Sequence, residues 1–377
     1  MRARDTWLLF AVALAACSSA PVDRPLTEPA TWAIDATPLL DIGTNPLDTL
    51  APIGLAVATY RVSDGEIVVA DRGYQELRFF DRDGHLTRTA SGPGEGPGEV
   101  RYLGRMYRCG DSLVVHEMQR REMLVFDRAG GFGRGFRLTG PTPRFVDSYK
   151  LACSTDMRFL GNGWDTVRVL EPQRVRGTVP YWISGRDGEV ERVLGSWMGS
   201  ERLSRRNGSG PHPLGKEPVL AAGRSRFYLG TADSFAIEVF GMDGSALPPI
   251  LKPSVVLTTS AEDIARFRLL DTLGKEPDEI ARSLREWETF EFPPTVPAYD
   301  AMLVDRDDNL WVRSYPRDLD PTVRWIVFDP EGTEIGSIDL PVTLELFDIG
   351  SDWLLGIETR LSDGGQQVRM YRLHRAG

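Results

Sequence analysis

From residue 55 onward, apolar residues come in short runs rich in β-branched and aromatic side chains, broken by polar turns containing Gly, Asp and Pro. Helical spacing is rare, so the pattern predicts many short strands. One phrase recurs in register: a strand ending in an aromatic, a polar turn with Gly, and a further strand. It reads Leu77-Arg78-Phe79-Phe80-Asp81-Arg82-Asp83-Gly84, then Leu124-Val125-Phe126-Asp127-Arg128-Ala129-Gly130. Later copies are Tyr181-Trp182-Ile183-Ser184-Gly185-Arg186-Asp187-Gly188, Val239-Phe240-Gly241-Met242-Asp243-Gly244 and Ile326-Val327-Phe328-Asp329-Pro330-Glu331-Gly332. Asp bonds its own backbone in such turns, and Gly accepts the positive φ they demand.

Two strands precede each phrase and one follows it. In the first unit they cover 55–62 and 66–70, around Ser63-Asp64-Gly65, with 86–90 downstream. In the fifth they cover 299–304 and 310–312, around Asp305-Arg306-Asp307-Asp308-Asn309, with 334–340 downstream. Four antiparallel strands repeated every ~40–45 residues predict propeller blades. Inner strands are expected to begin near Gly54, Tyr102, Asp147, Glu217, Tyr299 and Thr343, which makes an all-β fold of six blades. The sixth unit has three strands before the chain ends (344–349, 353–357, 368–373), and an orphan strand at 32–42 can supply the fourth. That strand would close the ring and leave no free edge.

Two segments depart from the repeat. Residues 162–178 read as an insertion in the third blade. Thr259-Ser260-Ala261-Glu262-Asp263 has the order of a helix cap. Ile264, Phe267, Leu269 and Leu270, then Ile280, Leu284 and Trp287, recur at helical spacing. A small helical insertion of two helices is therefore expected over about 259–290, between blades 4 and 5 and folded over the ring.

Asp305-Arg306-Asp307-Asp308-Asn309-Leu310-Trp311-Val312 is similar to the D-x-x-G-N-L-W-V turn of NHL-repeat propellers, with Asp308 at the usual Gly. Ser91-Gly92-Pro93-Gly94-Glu95-Gly96-Pro97-Gly98-Glu99-Val100 resembles their G-x-G-P-G-E-F connection between blades, with Val100 for Phe. On these motifs residues 32–375 resemble the six-bladed, NHL-repeat-like propellers found in many bacterial lipoproteins. The resemblance implies a six-bladed β-propeller over 32–377, closed by its N-terminal strand.

The N-terminus gives an address. Arg2 and Arg4 precede a short apolar run, Trp7 to Ala15. The run is too short to span a bilayer of ~30 Å, which takes ~20 residues, and residues 1–16 read as a signal peptide. Leu14-Ala15-Ala16-Cys17 resembles the bacterial lipobox, which implies cleavage before Cys17 and lipidation of its thiol, with diacylglycerol and fatty chains such as palmitate. Residues 17–31, rich in Pro, Ala and Thr, read as a lipidated tether. Ser18, where an Asp would favour inner-membrane retention, resembles the outer-membrane default. The expected location is the bacterial cell envelope, lipid-anchored at the outer membrane on its periplasmic or surface side.

The chain has 377 residues, 41% of them hydrophobic, with 38 Gly and 26 Pro dispersed along it, which suits many short strands. Its formal charge of −10 becomes one unit more negative once the leader is removed. An acidic body lacks the basic footprint that phosphate backbones require, so nucleic acid is not an expected partner. Cys109 and Cys153 stand in similar turn contexts 44 residues apart, one repeat, so equivalent turns of adjacent blades could be joined by a disulfide. Two buried free thiols are the alternative.

The polar residues ending each second strand should ring the axis on the face that carries the helical insertion. They are Asp71 and Arg72, His116 and Glu117, Asn162, Thr231, Arg313 with Tyr315, and Glu358. Such a mouth could bind a small polar ligand, a sugar or a peptide, or be an ordinary solvated rim. Metal chemistry has little support, because the four His are spread over different units and no H-E-x-x-H or C-x-x-C occurs. Asp81-x-Asp83-Gly84 and Asp305-x-Asp307 lack the remaining ligands of a calcium loop and read as turns. No cofactor and no catalytic residue is expected. The sequence favours a monomeric, membrane-anchored, non-catalytic propeller binding a ligand or an envelope protein. The alternatives are a metal-dependent, lactonase-like hydrolase or lyase, needing Glu117, Asn162 and Glu358 to converge, and a structural component of an envelope complex.

Overall fold

The structure, a computed structural model, describes residues 29–43, 52–62, 65–141, 150–163, 167–171, 174–205, 208–253, 256–272, 275–288, 290–317 and 319–375. The expected leader, Cys17, most of the tether and the inner-strand start expected at Asp147 lie outside the described residues.

Six antiparallel sheets follow one another along the chain. Blade 1 comprises Ala56–Arg61, Ile67–Asp71, Glu76–Phe80 and Leu86–Ser91. Blade 2 comprises Leu103–Cys109, Ser112–Glu117, Glu122–Phe126 and Phe132–Phe136. Blade 3 is built on Leu151–Cys153, Phe159–Asn162, Arg174–Ser184 and Val190–Met198. Blade 4 runs Val219–Ala222, Arg226–Gly230, Ala236–Gly241 and Ala246–Leu251. Blade 5 runs Tyr299–Val304, Leu310–Ser314, Thr322–Phe328 and Glu334–Pro341. The first strand of each blade touches the first strands of both neighbours, so the six form a closed inner ring.

Blade 6 contributes Leu344–Ile349, Trp353–Thr359 and Gln366–His374. Its fourth strand comes from the N-terminus, as Ala33–Ile34 and Leu40–Ile42, both antiparallel to Gln366–His374. The expected single strand at 32–42 is thus two short pieces with a bend between them, at Pro38, which has no N–H to give to a ladder. Just upstream, Ala30–Thr31 runs parallel to the outer strand of blade 5. Trp32, 6% exposed, lies between these pieces and packs on Trp311 with ring centroids 5.4 Å apart. Gly336 makes room for it, since a Cβ there would come within 2.7 Å of the indole.

The turn after each third strand explains the recurring phrase. Gly84, Gly130, Gly188, Gly244 and Gly332 all have φ between 77° and 89°, where an L side chain is strained. The middle strands are buried on both sides because blades pack face to face. In Ile67–Asp71 all five residues are buried. Ile67 and Val69 face blade 6, while Val68 and Ala70 face blade 2. Among the described residues, each of the six junctions between blades carries one such apolar cluster. The core is a ring of interfaces, which makes closure by the N-terminal strand as important as any blade.

The departures fall on one face. After the second strand of blade 3, Val167–Glu171 pairs antiparallel with Arg174–Thr178, so these described parts of the insertion expected at 162–178 are β-structure. Between blades 4 and 5 lie helix α1, Ala261–Thr272, and helix α2, Pro277–Glu288. Ser260 caps α1: its Oγ accepts from the Asp263 N–H at 3.2 Å while Asp263 Oδ2 accepts the Ser260 N–H at 2.8 Å. The helices meet at Phe267 and Trp287, whose rings are 4.9 Å apart, and Trp287 Nε1 donates to Asp271 at 2.9 Å. Leu269, Leu270 and Leu284 stay exposed.

Candidate functional site

Because strands alternate in direction, loops entering each inner strand and loops between second and third strands emerge on the insertion face. The first turn of every blade emerges on the other. Most of the polar residues expected to form a mouth on the insertion face are occupied within their own blades. Asp71 is fully buried, and its carboxylate accepts the N–H groups of Gly54, Leu55 and Gly73, each at 2.9 Å. Glu117 is equally buried and accepts from Tyr102 N–H at 2.8 Å, Gln119 N–H at 3.3 Å and Arg120 N–H. Burial alone would raise the Glu117 carboxyl, but these donors and the Arg120 charge hold it below its ordinary value. Asn162, 2% exposed, accepts Lys150 N–H at 3.0 Å. The three residues close their blades in one manner: the last side chain of the second strand ties down the chain entering the first.

The remaining candidates are distributed. Arg72 donates to the Leu103 and Gly104 carbonyls and lies over the Tyr102 ring. His116 is half-buried and paired with Met123 in its ladder. The Thr231 carbonyl accepts from Arg176 at 3.1 Å. Glu358 accepts from Thr343 at 3.2 Å, Tyr371 at 3.1 Å and Arg369. Glu117, Asn162 and Glu358 therefore hold separate partners in three different blades. Arg313 meets a charged partner from the inner ring, in a bidentate pair with Asp300 at 2.7 and 2.8 Å.

Inner-strand charges were not singled out in the sequence, although their place inside apolar strands marks them. Asp300, Arg105 and Glu345 join Arg313 and Tyr315 around the axis on the insertion face. Burial pushes the Asp300 carboxyl up against the pull of Arg313. Burial likewise opposes the charge on Arg313, yet the Asp300 charge outweighs it there and holds Arg313 above its ordinary value. Burial among the ring strands also raises Glu345, against Arg105 and Arg313, and pushes the Tyr315 phenol up to about 12.

A cavity of about 370 Å³ opens on the opposite face. Every inner strand contributes to its wall: Tyr60, Tyr107, Leu151, Leu220, Leu303 and Phe347 come from blades 1 to 6 in order. Tyr60 OH donates to the Met106 carbonyl at 3.1 Å, and its ring meets Phe347 edge-on. Burial pushes the Tyr60 phenol far above its ordinary range and the Tyr107 phenol to about 12, so both stay neutral. Arg108, Arg224 and Arg306 line the same cavity, with Asp305 and Asp308. Cys153 is part of its wall and is bonded to Cys109, with Cα atoms 5.6 Å apart. The disulfide thus joins the ends of two adjacent inner strands beside the cavity.

Asp305, 5% exposed, organises the blade 5 turn. It accepts the N–H groups of Asp307 and Asn309 at 3.0 and 2.8 Å, Asn309 Nδ2 and Trp311 Nε1 at 3.0 Å each, and Arg375 at 3.0 Å. Its lone pairs serve the turn and the C-terminal Arg375. Among the described residues one grouping could hold a metal, Asp81, Asp83 and His85 on an exposed turn. Asp81 Oδ1 there already accepts the N–H groups of Asp83 and His85, each at 2.9 Å.

No protein-family model and no curated protein sequence matches the chain. Solved structures do match its fold. A putative exported protein from Bacteroides fragilis is 10% identical, with a TM-score of 0.51 over 93% of this chain and 98% of its own. A member of the DUF4221 family from Bacteroides vulgatus is 12% identical, with a TM-score of 0.50 over 93% of this chain and 100% of its own. At this identity the likeness is one of fold.

Proposed function

We propose that this chain is an exported, lipid-anchored binding propeller whose ligand enters the axial cavity on the disulfide face. The observation that carries this reading is the cavity itself: apolar and aromatic walls drawn from all six blades, with guanidinium groups at its edge. Such a cup suits a small molecule or peptide end with an apolar body and an anionic group. A binding role is favoured over catalysis because Glu117, Asn162 and Glu358 each serve their own turn or strand. Export is supported by the leader pattern and the lipobox-like ending at Cys17, and by the similar fold of the exported protein from Bacteroides fragilis.

Titration with the neutral dye N-phenyl-1-naphthylamine, read by fluorescence, tests the cavity. One saturable site is expected in the native protein, and Leu220→Trp, which fills the cavity from blade 4, should abolish it. Equal binding by the native and Leu220→Trp proteins would place the ligand elsewhere. Anchoring is tested separately: Cys17→Ser should release a folded soluble protein, and continued membrane association would refute the lipid attachment.

A further inference from the structure

Beside the axial cavity lies a second pocket of about 380 Å³, between the first turns of blades 1 and 2. Its surface is mainly polar, and four arginines from separate elements line it: Arg61, Arg108, Arg128 and Arg306. We infer that this pocket binds a phosphate group, presented by a soluble phosphate compound or by a lipid headgroup.

Three of the arginines are held in place. Asp348, whose side chain is 1% exposed, takes Arg306 Nε and one terminal nitrogen at 3.1 and 2.7 Å, and Arg108 at 3.5 Å. Arg61 and Arg306 each lie 5.0 Å from the centroid of the Trp353 ring. Arg128 lies 3.5 Å from Asp111, which also lines the pocket, in an exposed pair. Among the described residues there, four guanidinium groups face two carboxylates. Among these described groups the guanidinium groups are in excess, within a chain of net charge −10. A phosphate monoester carries ~1.5–2 negative charges at neutral pH, the sign that clustered guanidinium groups attract. Guanidinium groups bind phosphate through paired N–H donors, and donors fixed beforehand lose little freedom on binding. Ser112, Gly65 and Gly110 also line it, with the apolar Val62 and Leu113.

The site stands apart from the axial cavity in its chemistry, although Arg108 and Arg306 border both. The test is calorimetric titration of the Cys17→Ser protein with inorganic phosphate, at an ionic strength fixed with chloride. One saturable site is expected, and Arg128→Gln and Arg61→Gln should each weaken it about tenfold, as loss of one charge-assisted contact does. Leu220→Trp should leave phosphate binding unchanged, and failure of the dye to bind the native protein would count against the axial reading and not against this one. No saturable phosphate heat in a folded protein, or equal affinity in both arginine variants, overturns the inference. Sedimentation with phosphatidylglycerol vesicles separates the two sources. Pelleting that phosphate reverses assigns the site to a lipid headgroup, and phosphate binding without pelleting assigns it to a soluble compound.

Discussion

The Asp308 carboxylate accepts the Ser225 hydroxyl at 2.6 Å and so ties the first turn of blade 5 to that of blade 4. The same carboxylate accepts the N–H groups of Arg224 at 2.6 Å and Ser225 at 3.2 Å. Asp308 sits at φ 73°, in the position where the similar NHL turn has Gly. The substitution accepts backbone strain in exchange for a link between blades.

Asp308→Gly therefore sets two effects against each other. It relieves ~1 kcal/mol of left-handed strain but removes three hydrogen bonds worth ~0.5–1.5 kcal/mol each. A net loss of about 0.5–3.5 kcal/mol is expected, and less for Asp308→Asn, which tolerates the backbone and keeps one acceptor. Urea unfolding should show lower midpoints with an unchanged slope.

The repeat was legible because its turns demand Gly at positive φ and its strands are apolar on both faces. Both requirements leave marks at fixed intervals. The ring closure was legible for a similar reason: three strands at the end and one spare at the start have one economical arrangement. The site was less so. Asp71, Glu117 and Asn162 were found by position, but a polar residue ending a strand reads the same whether it faces a ligand or accepts backbone N–H groups. Arg61 and Arg306 lie 245 residues apart in sequence, and they meet because the ring brings blades 1 and 5 together at Asp348.

The Cys109–Cys153 bond closes a loop of 44 residues. Chain entropy for a loop of that length gives about 4 kcal/mol of stabilisation. Cys109→Ala with Cys153→Ala should lower the unfolding free energy by that order. A reductant should bring the native protein close to the double variant while leaving the variant unmoved. A native midpoint indifferent to reductant would show the bond to be energetically silent.

Ring closure predicts a different kind of failure. Trp32→Ala removes a buried indole packed on Trp311 and beneath Arg375, and should cost about 3–5 kcal/mol. Deleting residues 29–43 goes further, because it leaves the edge of Gln366–His374 unpaired and uncovers Trp353 and Val368. Open strand edges template association, so the truncated protein should elute as oligomers in size-exclusion chromatography. A truncated monomer of native stability would mean that blade 6 holds with three strands.

The axial mouth on the insertion face should make stability depend on pH through Glu345. Burial raises its carboxyl above the ordinary value of 4.5, because Arg105 and Arg313 do not fully offset the loss of water. The folded state then binds this proton more tightly than the unfolded chain does. Its contribution is greatest below the unfolded value and declines as pH rises through the interval up to the raised folded value. Glu345→Gln fixes the uncharged form. The variant should match the native protein in acid, below that interval, and exceed it in stability at neutral pH. The gain should be modest, since solvent reaches this side chain. Urea midpoints measured across the pH range decide the matter. A variant weaker than the native protein at neutral pH would mean that attraction to Arg105 and Arg313 outweighs burial.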